Sequence, residues 1–327
     1  MAWASTNASS PDPMTTRHLV DPAVLPALEA FPSLRATRES LPAIRASMDA
    51  IALLIPVPEL PVETRTVRIP SPEGHEVRAI LLRPEGRTGL LPAILHIHGG
   101  AYIIGSPEMS VPELTETVHQ LDVAILSVDY RLAPEHPFPA GIEDCYTALG
   151  WLYENAGALG VDPSRIAVMG ESAGGGLAAS LALMARDRGV YPVAFQLLDA
   201  PMMDDRTCVR PRNPVTGEFI FSPEDNHFGW RCLLAAEPGA PDVSAYAAAA
   251  RATQLEGLPP TLIATGALDL FVDENLEYAM RLITAGVAVE LHVYPGCPHG
   301  YVIAADAPVA QRALRDKRNA LRRALAI

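Results

Sequence analysis

Basic residues are scarce in this chain. Lysine and arginine number 25 against 38 aspartates and glutamates, giving a formal net charge of −13. So acidic a balance argues against nucleic acid and anionic membrane surfaces as partners, because both attract basic patches. Cysteine is scarce too. Cys145, Cys208, Cys232 and Cys297 stand far apart, with no C-x-x-C and no mixed His/Cys cluster. No metal site is therefore expected, and reduced, mostly buried thiols are the simplest reading. No apolar run approaches the ~20 residues of a membrane span. The amino terminus lacks both a basic region and an apolar core, so no signal peptide is expected and the cytoplasm is the expected location. No internal repeat is visible. What the chain does have is bulk: 327 residues, 49% of them hydrophobic, enough for one large α/β domain with a full core.

Into that background is set a serine between glycines, Gly170-Glu171-Ser172-Ala173-Gly174. The apolar run 166–169 predicts a buried strand, and the small residues of 173–185 predict a helix packed closely on a sheet. A chain that turns from strand to helix within one residue strains the serine, and flanking glycines remove side chains that would collide. The hydroxyl is then presented at the carboxyl edge of the sheet, beside a helix amino end. Taken alone, the pentapeptide also fits a Gly-rich helix start or a phosphate cradle.

A serine nucleophile needs a base, and the base needs a carboxylate to orient it. On such a scaffold the expected order is Ser, then acid, then His. Residues 260–266 predict a strand, followed by Asp269. Residues 287–294 predict the next strand, followed by Pro-His299-Gly300. Both side chains then fall where loops converge at the carboxyl ends of parallel strands. Of nine histidines, only His299 follows the last strand with a glycine after it to keep the ring accessible. His18, His75, His119, His136 and His227 fall in polar stretches, His292 alternates on a strand, and His96 and His98 end another. Asp269 is preferred to Asp273 and Glu274, which read as first-turn acids of a following helix.

Upstream, the apolar strand 93–97 runs into His98-Gly99-Gly100-Ala101-Tyr102. This turn offers backbone N–H groups with almost no side-chain bulk. With the N–H of Ala173 they would make an oxyanion hole.

These segments together resemble a known family. His98-Gly-Gly-Ala-Tyr, Asp129-Tyr-Arg-Leu-Ala-Pro-Glu135, Gly-Glu171-Ser172-Ala-Gly-Gly, Asp269-Leu-Phe-Val-Asp-Glu and His299-Gly resemble the bacterial hormone-sensitive-lipase-like (family IV) carboxylesterases. The stretches around Asp162, Pro192 and Glu277 are most similar to the heroin-esterase-type subgroup. The resemblance covers about residues 60 to 325. It implies an α/β-hydrolase fold: a mostly parallel eight-stranded sheet flanked by helices, with a helical cap. It implies Ser172 as nucleophile, His299 as base, Asp269 as acid, and oxyanion donors at Gly99, Gly100, Ala101 and Ala173. The implied activity is hydrolysis of short- to medium-chain carboxylic esters, without metal or cofactor. An amidase or lipase on the same fold, or a non-catalytic ligand-binding relative, are the alternatives. Three positions depart from the family pattern: Ala101 replaces the third glycine, Glu171 the usual Asp, and Asp269-Leu-Phe the usual Asp-Pro-Leu. Beside the triad, His98 and Glu171 would support the turn and the nucleophile.

Organisation along the chain follows. Residues 1–16 are Ser/Thr/Pro-rich and expected to be mobile. Residues 1–55 carry two helical patterns, and 56–327 form the catalytic domain. Strands are expected near 65–70, 76–83, 92–97, 123–128, 165–169, 193–198, 260–266 and 287–294. The segment 202–250 breaks the strand–helix rhythm. It reads as an insertion that, with the amino-terminal helices, caps the active-site edge. Tyr102, Phe219, Phe221, Phe228 and Trp230 are its expected pocket residues. The last strand, 287–294, should be the open edge of the sheet and the seam of a homodimer.

Overall fold

Eight strands hydrogen-bond into one sheet in the order β1-β2-β4-β3-β5-β6-β7-β8. The computed structural model describes residues 16–31 and 34–327. Of the amino-terminal stretch expected to be mobile, all but Thr16 lies outside them, and Thr16 is buried with its hydroxyl on Glu218.

Two helices come first, α1 (Leu25–Ala30) and α2 (Leu41–Ala52). Then follow β1 (Val62–Pro70), β2 (Glu76–Pro84), β3 (Leu91–Ile97), α3 (Val111–Leu121), β4 (Ala124–Asp129), α4 (Ala140–Glu154) and α5 (Ala156–Leu159). The second half runs β5 (Val161–Glu171), α6 (Ala173–Arg188), β6 (Phe195–Asp199), α7 (Pro223–Leu234), β7 (Thr261–Gly266), α8 (Val272–Thr284), β8 (Val289–Tyr294) and α9 (Pro308–Ala324). Only β2 is antiparallel to its neighbours. A turn beginning at Ser71 joins β1 to β2 as an antiparallel hairpin.

The central strands are apolar along their whole length because both faces are covered; every residue of β3 is buried. Helices α1, α3 and α9 close a core on one face, and α2, α4, α6, α7 and α8 close a larger one on the other. Ser222 caps α7 in a reciprocal capping box with Asp225, and Pro223 takes the first helical position. Residues 202–250 lie between β6 and β7 and carry α7.

Helix α6 is the element that fixes the site. It is buried from Ala173 to Ala185, and its glycines let it lie against the sheet. A Cβ at Gly174 would stand 2.0 Å from the Ile97 carbonyl oxygen, and one at Gly176 would stand 1.9 Å from that of Met202. Any larger residue would push the helix, and Ser172 with it, off the strand ends.

Candidate active site

Ser172 sits between β5 and α6 at φ +53°, ψ −120°, the left-handed strain expected of a one-residue strand-to-helix turn. Hydrogen bonds hold this backbone on both sides. The Ser172 N–H donates to the Asp199 carbonyl at 2.8 Å, and the Ser172 carbonyl accepts from Met202 N–H at 2.9 Å. The Ser172 Oγ lies 3.0 Å from His299 Nε2. On the far side of the ring, Nδ1 is 2.8 Å from Asp269 Oδ2. The other oxygen of Asp269 accepts the Phe271 N–H at 2.8 Å, so this buried carboxylate has a partner on each oxygen. Because a carboxylate only accepts, Nδ1 carries the proton and Nε2 is free to accept from the serine.

Burial disfavours the charged ring of His299. The Asp269 carboxylate outweighs it by charge and hydrogen bond, Asp199 adds to it, and the pKa of His299 stands above the ordinary value. Phe271 meets the ring edge-on at 5.2 Å and Phe221 flanks it at 5.5 Å, which keeps the imidazole in one orientation. The competing acids lie elsewhere. Asp273 is exposed in the first turn of α8 and pairs with Asn213. Glu274 is buried and accepts the N–H groups of Met203 and Asp204 at 2.7 and 3.1 Å, tying α8 to the chain after β6.

Opposite the serine lies the glycine turn. Gly100 has φ +120°, and a Cβ there would stand 2.0 Å from the Ile104 carbonyl oxygen. Ala101 and Tyr102 also have positive φ, at +53° and +67°. The turn abuts Ser172, since a Cβ on Gly99 would stand 3.4 Å from that of Ser172. Among the described residues, the N–H groups of Gly99, Gly100 and Ala101 donate to no backbone carbonyl. The first N–H of α6, on Ala173, is orphaned by its position. Ala101 thus takes the left-handed backbone that a glycine would take more easily, and its N–H remains available.

His98 braces this turn. Its Nδ1 bonds the Gly99 carbonyl at 2.7 Å, and its ring stacks on Tyr130 at 4.3 Å. Burial holds its pKa below the ordinary value, so the ring is neutral and Nδ1–H is the donor. Glu171 turns to His96, near the end of β3: its Oε1 is 2.9 Å from His96 Nε2, and His96 Nδ1 reaches Ser127 Oγ at 2.8 Å. Burial pushes the Glu171 carboxyl up, but His96 outweighs this and the pKa is lowered.

Above the serine opens a cavity of about 700 Å³ with Ser172, His299 and the Gly99–Ala101 turn in its floor. Its aromatic lining differs from the expected one. Phe221 lines it, but Tyr102, Phe219, Phe228 and Trp230 do not. Trp230 is wholly buried and packs on Tyr102 at 5.3 Å, while the Tyr102 hydroxyl donates to the Met202 carbonyl. Phe219 and Phe228 are half-buried against the two cores. The reason is that α7 lies close over the Gly99–Ala101 turn, with Gly229 facing Ala101, which turns its rings into the core. The cavity wall instead comes from α2, through Ile44, Ser47, Met48 and Ile51. Its aliphatic residues at helical spacing are the signal that would have found it.

A family profile described as alpha/beta hydrolase fold matches residues 94–303. The carboxylesterase NlhH of Mycobacterium tuberculosis is 36% identical over 326 residues, covering 96% of this chain and 99% of that protein. This chain belongs to the hormone-sensitive-lipase-like esterases of the α/β-hydrolase family. Solved esterases agree in three dimensions. A bacterial heroin esterase superposes with a TM-score of 0.89 at 42% identity, over 95% of this chain and 99% of that one. The esterase LipW of Mycobacterium marinum gives 0.85 at 33% identity, over 97% and 99%. The chain carries the eight-stranded, mostly parallel sheet that the family resemblance implies. Among the described residues of this esterase, no helix is long and apolar enough to cross a membrane.

Proposed function

We propose that Ser172, His299 and Asp269 act as a triad hydrolysing short- to medium-chain carboxylic esters. The observation that carries this reading is the hydrogen-bonded line from Ser172 Oγ through His299 to Asp269, set in the floor of an apolar cavity. His299 takes the serine proton through Nε2 as Oγ attacks the ester carbonyl. Negative charge develops on the carbonyl oxygen, and the N–H groups of the Gly99–Ala101 turn and of Ala173 receive it. Collapse expels the alcohol, which leaves with the proton held by His299. Water then attacks the acyl-enzyme with His299 again as base, and the acid is released. Asp269 keeps the ring in the working tautomer and stabilises its cation. Helix α2 and the 202–250 insertion would form the cap, and the aliphatic wall suits an acyl or alkyl chain of modest length.

A panel of p-nitrophenyl esters of rising chain length, run with wild type and Ser172→Ala, tests this. Optimum cleavage is expected at about four to eight acyl carbons, with the variant slower by about 10⁴ to 10⁶ in kcat. Activity of Ser172→Ala within tenfold of wild type would overturn the assignment. Preference for triolein or an anilide would move it to a lipase or an amidase.

The partner we propose is a second copy of the chain. Strand β8 is the sheet edge, with Leu291 and Val293 exposed at 37% and 41%. Leu276, Met280 and Ile283 are exposed on α8, which packs beside it. Four unpaired cysteines favour a reducing compartment such as the cytoplasm.

A further inference from the structure

Position 317 holds the only lysine of the chain; every other basic residue is arginine. It stands on α9 with its side chain 8% exposed. An ammonium is buried at high cost unless a carboxylate compensates it. Here Nζ lies 2.7 Å from Asp199 Oδ2 and 3.6 Å from Glu113 Oε1.

Asp199 links this pair to the active site. It is the last residue of β6, buried, and stands opposite Glu171 in the parallel register of β5 and β6. Its carbonyl oxygen accepts the Ser172 N–H, so the residue that anchors the ammonium also holds the nucleophile's backbone. Its carboxylate acts on His299, and Glu113 of α3, Glu171 of β5, Tyr294 of β8 and Tyr301 face the same charges. On the His299 side stands Asp269, and beyond Glu171 stands His96. Burial opposes the charge on Lys317, yet Asp199 and Glu113 hold its pKa well above the ordinary lysine value.

We propose that Lys317 and Asp199 are positioning residues for ester hydrolysis: their ion pair fixes the carboxyl end of β6, whose carbonyl holds Ser172, and balances the negative charge facing His299. The proposal rests on the triad reading. If Ser172→Ala keeps activity, that reading fails, whatever the pair does.

The test is the pH profile of kcat/KM on p-nitrophenyl butyrate for wild type, Asp199→Asn and the double variant Lys317→Met/Asp199→Asn. Asp199→Asn removes a negative charge that stabilises the His299 imidazolium and leaves the ammonium uncompensated. Its acid limb should move to lower pH by about half a unit, and kcat should fall about tenfold as the hold on Ser172 loosens. Removing the ammonium as well should bring the limb part-way back, so that the double variant lies between the other two. A purely structural role would lower kcat or Tm without that order. An Asp199→Asn limb at the wild-type position, or a double variant identical to the single, overturns the proposal. If Asp199→Asn does not fold, the double variant, which buries neither charge of the pair, is compared with wild type directly. A limb displaced to lower pH supports the pair, and an unmoved limb overturns it.

Discussion

Replacing Asp269 by asparagine exchanges one oxygen for an NH2 group and leaves the shape nearly unchanged, so its effect isolates proton placement. The Phe271 N–H needs an acceptor, and Asp269 Oδ1 supplies it at 2.8 Å. In the variant the amide oxygen stays with Phe271, since a buried N–H facing an NH2 group would be left unpaired. The new NH2 then takes the place of Asp269 Oδ2, which in the wild type accepts the bond from His299 Nδ1–H at 2.8 Å. Nδ1 must become the acceptor and Nε2 the protonated nitrogen. Ser172 Oγ, 3.0 Å from Nε2, is then met by a donor and has no base. A wrong tautomer of this kind costs about 10⁴ in kcat, which is about 5 kcal/mol of barrier. Steady-state kinetics on p-nitrophenyl butyrate measure it, with circular dichroism to check folding. Asp273→Asn, an exposed helix-start position bonded among the described residues to Asn213 alone, should stay within about threefold of wild type. A loss below tenfold for Asp269→Asn, or a larger loss for Asp273→Asn, would show that the orienting acid is misassigned.

Other consequences can be tested separately. Because the His299 pKa is raised and only the neutral ring accepts the serine proton, kcat/KM should fall with decreasing pH at a midpoint above that of a free imidazole. A midpoint below it would contradict the Asp269 and Asp199 contributions. Met48→Trp fills the cavity wall on α2, so kcat/KM for the octanoate ester should drop about tenfold relative to acetate; an equal effect on both esters would place the chain elsewhere. Leu291→Lys puts a charge on the exposed edge strand and should convert a dimer to monomers in light scattering. A wild-type particle of 34.9 kDa at micromolar concentration would remove the dimer altogether.

The grouping of the proposed triad was legible in the amino-acid sequence because each of its side chains sits just after an apolar strand. Ser172, Asp269 and His299 follow β5, β7 and β8, and a parallel sheet brings such strand ends to one edge whatever else the chain does. The glycines of the turn at 99–101 were legible for a similar reason: a local backbone conformation demands them. Helix and strand positions followed from periodicity, and only their ends moved, as when the strand expected at 287–294 begins at Val289. The cavity wall was not legible. An apolar helical stripe shows that a face is covered, not by what, so Ile44 and Met48 of α2 and Trp230 of α7 look alike in sequence. Only packing made the first two a pocket and the third a core residue. The buried charges needed the tertiary structure most. Lys317 and Asp199 lie 118 residues apart. Their pairing depends on α9 crossing the end of β6, because an ion pair of this kind is set by distance and burial in space, and neither has a local signature in the chain.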